Sequence, residues 1–290
     1  MKALFLGGDK RQIEIIKDLS RKKIEIDLVG YDLIGIDDIK NIDANNICIS
    51  QYDLIFFPIS GVKDDLSIAC SYSSRKIILQ MDLLEKCKEK AKIFTGIKTE
   101  KLNHMLKLAN KDCIALMDDV DIKKANGIPT VEGIIGDLIY STDYTISDAN
   151  IFVLGYGNVG KPLVRTLKNL NASVTVGIIK PDEFTELVNN QIPCIYSNNH
   201  SLMLRVMQDS NIIINTVPEL ILNKDYLEKL NKDIYILDIS SHPHGVDFES
   251  ANELNLKNKL LLGIPGNVAP KTAGNILVKK INSIIKEDVK

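Results

Sequence analysis

The stretch from Ile151 to Gly160 constrains this chain more than any other. The apolar residues Ile151, Phe152, Val153 and Leu154 lead directly into Gly155-Tyr156-Gly157-Asn158-Val159-Gly160. A helical pattern over residues 162–170 follows, and then a second apolar run over residues 173–178. A Gly-x-Gly-x-x-Gly turn between a strand and a helix is the phosphate-binding corner of a dinucleotide-binding βαβ unit. Gly155 permits the tight turn, Gly157 lets the backbone approach a pyrophosphate, and Gly160 lets the helix pack on the strand. The helix N-terminus then offers free N–H groups and a positive dipole to the phosphates. Tyr156, Asn158 and Val159 complete the turn as cofactor neighbours.

The rest of the chain repeats this alternation. Strands are predicted at residues 3–6, 26–29, 54–59, 76–79, 92–95 and 113–117, with helical patterns over 13–19 and 83–90. After the glycine-rich turn, further strands are predicted at 194–196, 212–215, 234–239 and 260–262. Strands alternating with helices imply parallel sheets covered on both faces. The fold class is therefore α/β: two doubly wound parallel-sheet domains, the second a Rossmann dinucleotide-binding domain. A chain of 290 residues is long enough for two domains at about 150 residues each.

A helix is expected from Pro129 to about Tyr140, with Pro129 in its first turn and Glu132 near its positive end. The polar residues 141–150 have the composition of a linker. The first domain, taken as residues 1–127, is expected to hold substrate and catalytic groups. Residues 128–267 form the cofactor domain. The amphipathic C-terminal helix, about 268–290, is expected to pack back on the first domain. The two domains would enclose a cleft of dicarboxylate size.

Composition excludes several functions. Lys+Arg 36 against Asp+Glu 38 leaves a net charge of −2 and no basic block, which argues against nucleic-acid binding. No apolar run approaches the ~18 residues of a membrane helix. The short apolar N-terminus runs into Asp9, Lys10 and Arg11, unlike a signal peptide. A cytoplasmic protein is expected. The five cysteines form no CxxC pair, so no disulfide framework or metal site is expected.

Candidate site residues cluster at strand ends and in the Gly/Pro loops. NAD sites usually place an acid at the end of the second strand. Here that region reads Val176-Gly177-Ile178-Ile179-Lys180, with no acid before Asp182. Lys180 is placed to meet a 2′-phosphate, so NADP is favoured over NAD. Thr216, Val217 and Pro218 end a strand of the same unit, and Ser240 follows the next, as further cofactor neighbours. His242 and His244 lie in the loop beyond and could act in acid–base chemistry. Lys271 and Thr272, near the positive end of the last helix, suit a substrate carboxylate. In the first domain, Gly8 and Arg11 follow the first strand, and Arg11 could clamp a carboxylate bidentately. Ser60 follows the third strand, and Asn126 and Thr130 flank the domain crossing as further substrate candidates.

Several segments carry a further signal, in order and over almost the whole chain. They are Gly7-Gly8-Asp9 with Arg11-Gln12, Asn126 with Ile128-Pro129-Thr130, Glu132 and Gly133, and Thr142-Asp143-Tyr144-Thr145-Ile146. The glycine turn, Asn215-Thr216-Val217-Pro218, and Asp238 with Ser241, Pro243 and Asp247 continue the series. Pro265-Gly266 with Val268-Ala269-Pro270-Lys271-Thr272-Ala273-Gly274 closes it, and together these segments resemble the dipicolinate synthase A-protein family of spore-forming bacteria. The resemblance implies an NADP-using oxidoreductase of the mother-cell cytoplasm. It would make dipicolinate from a dihydro- or hydroxytetrahydro-dipicolinate and work with a flavoprotein-like dipicolinate synthase B subunit. Arg11 and Lys271 are then expected on the two carboxylates, with His242 and Lys271 as catalytic candidates. Where the family has Pro-Gly-Gly, this chain has Pro243-His244-Gly245, which argues against His244 as a proton shuttle. The alternatives are a dehydrogenase of another small acid and a non-catalytic subunit that binds NADP. Each is compatible with a homo-oligomer.

Overall fold

The computed structural model describes residues 1–36 and 39–287 and divides into two compact units. Unit 1 contains residues up to Asn126 and those from Pro265 on; unit 2 is Gly127–Ile264.

Unit 1 contains β1 (Lys2–Leu6), α1 (Lys10–Arg21), β2 (Glu25–Val29), β3 (Lys40–Asn41) and β4 (Leu54–Phe56). Then come β5 (Ser67–Ile68), β6 (Ile77–Ile78), α2 (Met81–Glu85), β7 (Lys92–Thr95), α3 (Glu100–Leu108) and β8 (Ile114–Ala115). Its six-stranded sheet has the order β3-β2-β1-β4-β7-β8, all parallel. Register aligns Phe5, Phe56 and Phe94 across neighbouring strands, and their rings stack at 4.4 and 4.8 Å. Stacked rings at this spacing add to burial. That face is covered by α1 and by the C-terminal helix, through Ile15, Ile16, Leu277 and Ile281. Leu84 of α2 and Leu102 and Leu106 of α3 cover the other face.

α4 (Val120–Ser141) contains the division between the units. It begins at Val120, not at Pro129, because the Asp119 carboxylate accepts hydrogen bonds from the Asp121 and Ile122 amides, both at 3.0 Å. Pro129 lies inside the helix. Residues 141–150, read as a linker, belong to unit 2 and turn from α4 into its first strand.

Unit 2 continues with β9 (Asn150–Leu154), α5 (Gly160–Asn169), β10 (Ser173–Ile178), α6 (Pro181–Asn189), β11 (Cys194–Tyr196) and α7 (His200–Gln208). β12 (Ile212–Asn215), α8 (Lys224–Leu227), β13 (Tyr235–Asp238), α9 (Phe248–Glu253) and β14 (Lys257–Leu260) complete its sheet region. The order is β11-β10-β9-β12-β13-β14, again all parallel. The last strand is Lys257–Leu260 rather than the predicted apolar 260–262. As an edge strand it tolerates a polar sequence that carries no apolar signal. α10 (Ile264–Val268) and α11 (Pro270–Glu287) close the chain, with α11 lying against α1.

Residues 76–79 differ from expectation. β6 pairs antiparallel with β5 in a separate two-stranded ribbon, outside the main sheet. None of the described helices is long and apolar enough to cross a membrane.

Candidate functional site

In unit 2 the chain leaves β9 at Gly155, whose φ of 96° is open to glycine and strained for other residues. A side chain at Gly160 would strike the Gly155 carbonyl oxygen, so α5 starts in contact with the turn. Around Gly157 there is open space. No side chain caps the start of α5 at Val159. Amide groups at an uncapped helix start form a receptor for phosphate. The structure thus fits a dinucleotide pyrophosphate at this corner.

The neighbours divide by orientation. Asn158 is exposed, and Val159 packs partly on the unit core. The Tyr156 ring is buried in that core, with the Lys161 ammonium 5.2 Å from its centroid. Only the Tyr156 backbone is left for a ligand. Burial first, and the nearby Glu186 and Glu183 carboxylates second, push its phenol up.

Lys180 is exposed beyond the end of β10. The acid missing from that strand end is returned by α6. A Glu183 carboxylate oxygen accepts from the Ile179 amide at 3.4 Å and the Lys180 amide at 3.3 Å. The acidic start Pro181-Asp182-Glu183 is the signal that points to this contact, because a third-position Glu reaches back to the residue before its helix.

At the end of β12, the Thr216 hydroxyl donates to the Leu154 carbonyl at 2.8 Å, which ties this strand end to the glycine corner. Val217 is half-buried and Pro218 exposed. Beneath them lies a fully buried pair that sequence reasoning does not place in the site, Asn215 and Asp238. Asp238 accepts from Asn215 Nδ2 at 2.9 Å, the Ser240 amide at 2.8 Å and the Gly245 amide at 2.8 Å. Three donors make a buried carboxylate tolerable. They fix the loops after β12 and β13. The buried Ser240 hydroxyl has no hydrogen-bond partner among the described residues.

His242 is exposed, and its ring lies 5.8 Å from that of His244, edge to face. Among the described residues no carboxylate orients it. His244 has φ 72° and an Nδ1 contact of 2.9 Å to the Ser240 carbonyl. That left-handed backbone explains why glycine also suits the position.

Unit 1 builds a second constellation after β1. Asp9 caps α1, accepting from the Arg11 amide at 2.9 Å, while Gln12 Oε1 accepts from the Asp9 amide at 3.2 Å. Gly8 has φ 134°, and any side chain there would meet the Gln12 amide group. Its space is thus taken by Gln12, not left for a ligand. Gln12 Nε2 donates to the Phe57 carbonyl at 3.2 Å, linking α1 to the chain just beyond β4. Ser60 is exposed on the turn beyond.

Arg11 is not a free clamp. Its Nε donates to both Asp9 carboxylate oxygens at 3.1 and 3.2 Å, and Nη2 donates at 2.6 Å. Its side chain is only 12% exposed. The segment from α10 into α11 arcs over it: a Cβ on Gly266 would lie 2.8 Å from Arg11 Nε, and one on Gly274 would lie 2.6 Å from the Arg11 carbonyl oxygen. Lys271 and Thr272 are exposed within that arc, in the first turn of α11. Asn126 is half-buried with Nδ2 3.8 Å from Met117 Sδ, and Thr130 is buried in α4.

Tyr72 belongs beside this constellation and carries no sequence signal, since it lies in the turn between β5 and β6, outside both strands. The Ser71 amide donates to the Gly8 carbonyl at 2.9 Å, and the Tyr72 ring stacks on Tyr31 at 5.8 Å. Burial first, then the Asp9 charge, raises the Tyr72 phenol.

Two parallel six-stranded sheets with flanking helices, one carrying an open glycine corner, define a protein with the fold of Rossmann-like dehydrogenases. D-lactate dehydrogenase from Escherichia coli has this fold too, with a TM-score of 0.63 at 10% identity over 99% of this chain and 97% of that one. The model of the N-terminal domain of the dipicolinate synthase A protein matches residues 2–117. The dipicolinate synthase A protein of Bacillus subtilis (strain 168) is 33% identical over 289 residues, 99% of this chain and 96% of that protein. The crystal structure of the dipicolinate synthase A protein from Bacillus halodurans matches with a TM-score of 0.93 at 32% identity, covering 98% of this chain and 97% of that one. The chain belongs to the dipicolinate synthase A-protein family.

Proposed function

We propose that this chain is an NADP-dependent oxidoreductase that converts dihydrodipicolinate, formed by loss of water from 4-hydroxy-tetrahydrodipicolinate, to dipicolinate. The observation that carries this reading is the 33% identity to a dipicolinate synthase A protein across 99% of the chain. In this reading unit 2 holds the cofactor and unit 1 the substrate.

The ring gives up one hydride and one proton and becomes aromatic, which supplies much of the driving force. NADP, when bound, is the hydride acceptor. Gly155, Gly157 and Gly160 with the start of α5 hold the pyrophosphate through backbone amides. Asn158 and the Tyr156 and Val159 backbones border it. Thr216, Val217 and Pro218 line the strand ends beside it, with Ser240 buried behind them, its hydroxyl without a partner among the described residues. Lys180 pairs with the 2′-phosphate, against opposition from Glu183 at the same strand end.

Arg11 takes one substrate carboxylate through the edge that Asp9 leaves open, and Lys271 and Thr272 take the other. Ser60 and Asn126, in the same unit, are the further substrate candidates. His242, solvent-exposed and unoriented, passes the ring proton to water, with Lys271 as the other candidate base. Positioning then carries more of the catalysis than proton transfer. The naming of the relatives as the A component of dipicolinate synthase supports a B-subunit partner, and the resemblance to a family of spore-forming bacteria supports a sporulation role.

The test is dipicolinate formation read by terbium luminescence. Purified chain receives NADP and freshly generated hydroxytetrahydrodipicolinate, with and without the B subunit. Signal above the no-enzyme control is expected from the chain alone. Signal only with the B subunit would assign this chain binding without turnover. No signal in either arm, from protein that binds NADPH, would move the reading to another small acid.

A further inference from the structure

We propose that Asp9 is the positioning residue that turns Arg11 into a one-edged carboxylate receptor. The inference rests on the reading that unit 1 binds the substrate carboxylates, and it assigns a role to a residue that touches no substrate itself.

A guanidinium has two edges that can each meet a carboxylate in a bidentate fork. Asp9 occupies one of them, through Nε at 3.1 and 3.2 Å and Nη2 at 2.6 Å. Nη1 has no hydrogen-bond partner among the described residues. Gly266 closes over the Nε side, where even a Cβ would come within 2.8 Å of Nε. The group is therefore held from one side by Asp9 and from above by the α10 backbone. Its remaining donors stay fixed in the unit that also carries Lys271 and Thr272.

Two effects of Asp9 on an incoming anion oppose each other. Its negative charge offsets that of Arg11 and weakens attraction. Its hydrogen bonds keep the guanidinium in a slot where the side chain is only 12% exposed. Asp9 is itself 31% exposed, so the first effect is screened by water. The second is not screened, because a guanidinium this buried does not stay in place once the carboxylate that pairs with it among the described residues is removed. Without Asp9 the side chain swings to solvent and the receptor is lost. Positioning therefore outweighs neutralisation.

Asp9 also caps α1, and the variants must separate that role. Asn and Ser cap about as well as Asp. Asp9→Asn and Asp9→Ser therefore keep the helix start and remove the fork. The experiment titrates pyridine-2,6-dicarboxylate into the wild type, D9N, D9S, R11A and the D9N/R11A double variant by calorimetry, with NADPH binding and melting temperature recorded for each. D9N is expected to bind the dicarboxylate about tenfold more weakly, the cost of ordering one long side chain afresh and losing part of its hydrogen bonding. D9S should be at least as weak. NADPH binding and melting temperature should hold. In the R11A background, D9N should add nothing, since Asp9 acts only through Arg11.

Equal or tighter binding by D9N would overturn the proposal and leave neutralisation as the role of Asp9. An equal loss from D9N with and without Arg11 would overturn it as well, and would mark a structural effect. No binding by the wild type would overturn the substrate reading itself, and this inference with it.

Discussion

Units 1 and 2 place first strand, first turn and first helix in the same order, and in both the first strand sits between the second and the fourth. They finish the turn in opposite ways. In unit 1, Asp9 caps α1 with its own carboxylate, and Gln12 fills the space beside Gly8. In unit 2, α5 starts without a cap, and Gly157 faces open space. An anion suits both helix starts. Unit 1 supplies it from within the chain, and unit 2 leaves its helix start uncapped and open. One topology thus yields a closed corner that holds an arginine and an open corner shaped for a phosphate. What separates them is a few side chains, not the path of the backbone.

The largest effects should come from breaking the open corner. Gly160→Val drives a side chain into the Gly155 carbonyl, a backbone atom that cannot step aside. A loss of about 3 kcal/mol is expected, typical of severe overpacking. Thermal unfolding of unit 2 should fall by about 5–10 °C. A Cβ at Gly157 meets nothing within 4 Å, so Gly157→Val projects into open space. Its melting temperature should stay put, while NADPH affinity falls about 100-fold as two charge-assisted hydrogen bonds are lost. Calorimetry and thermal melts read both. Equal behaviour of the two variants would break the distinction between a glycine needed for packing and one needed for approach.

The closed corner has its own reporter. Cys70 Sγ donates to the Ile68 carbonyl at 3.3 Å and lies where a side chain on Gly7 would go. Burial, with the Asp32 charge second, pushes its thiol up to about 11. Cys48 is exposed, and hydrogen bonds from Gln51 and Ser50 pull its thiol down. The thiolate is the reactive form. At pH 8, iodoacetamide should therefore modify Cys70 about tenfold more slowly than Cys48, after allowing for the greater nucleophilicity of the more basic thiolate. The Cys70 rate should keep rising with pH towards about 11. Peptide mass mapping measures both rates. Equal rates would mean that the corner of unit 1 is as open as that of unit 2.

The two corners also differ in how much of them sequence can reveal. The open one announces itself, because glycines at fixed spacing between an apolar strand and a helix have few other uses. The closed one carries a signal of another kind, Asp9 followed three residues later by Gln12, the pattern of a reciprocal cap. Taken for a ligand loop, it suggests a free Arg11 and a Gly8 kept small for substrate. Taken for a cap, it predicts that both are occupied by neighbours. Buried strands such as Leu54–Phe56 and Ile212–Asn215 are legible because both faces must be apolar. Lys257–Leu260 is not, because its polar residues are held by pairing with β13 rather than by burial. The start of α4 is obscured by Pro129, a residue that more often opens a helix than lies within one. The Asp119 cap sits ahead of it. The Asn215–Asp238 pair escapes because a polar residue ending an apolar run looks like the start of a loop.

The smallest effect sharpens the comparison at the far end of the open corner. Beyond β10 the Glu183 carboxylate accepts from the Lys180 backbone amide, and the two side chains carry opposite charge with opposite consequences for a 2′-phosphate. Lys180 is exposed, so its pairing is worth about 1 kcal/mol, a factor of about five. Lys180→Ala should weaken NADPH by about that factor and leave NADH unchanged. Glu183→Gln keeps an acceptor for the Ile179 and Lys180 amides and removes only the charge. It should strengthen NADPH by a similar or smaller factor, because the carboxylate no longer repels the phosphate. Weaker NADH with Glu183→Gln, or NADPH unmoved by Lys180→Ala, would make Glu183 the acid that a ribose diol requires. NAD would then replace NADP in the proposed reaction. Salt provides the control: both shifts should shrink as ionic strength rises, because Lys180 is exposed and Glu183 only partly buried.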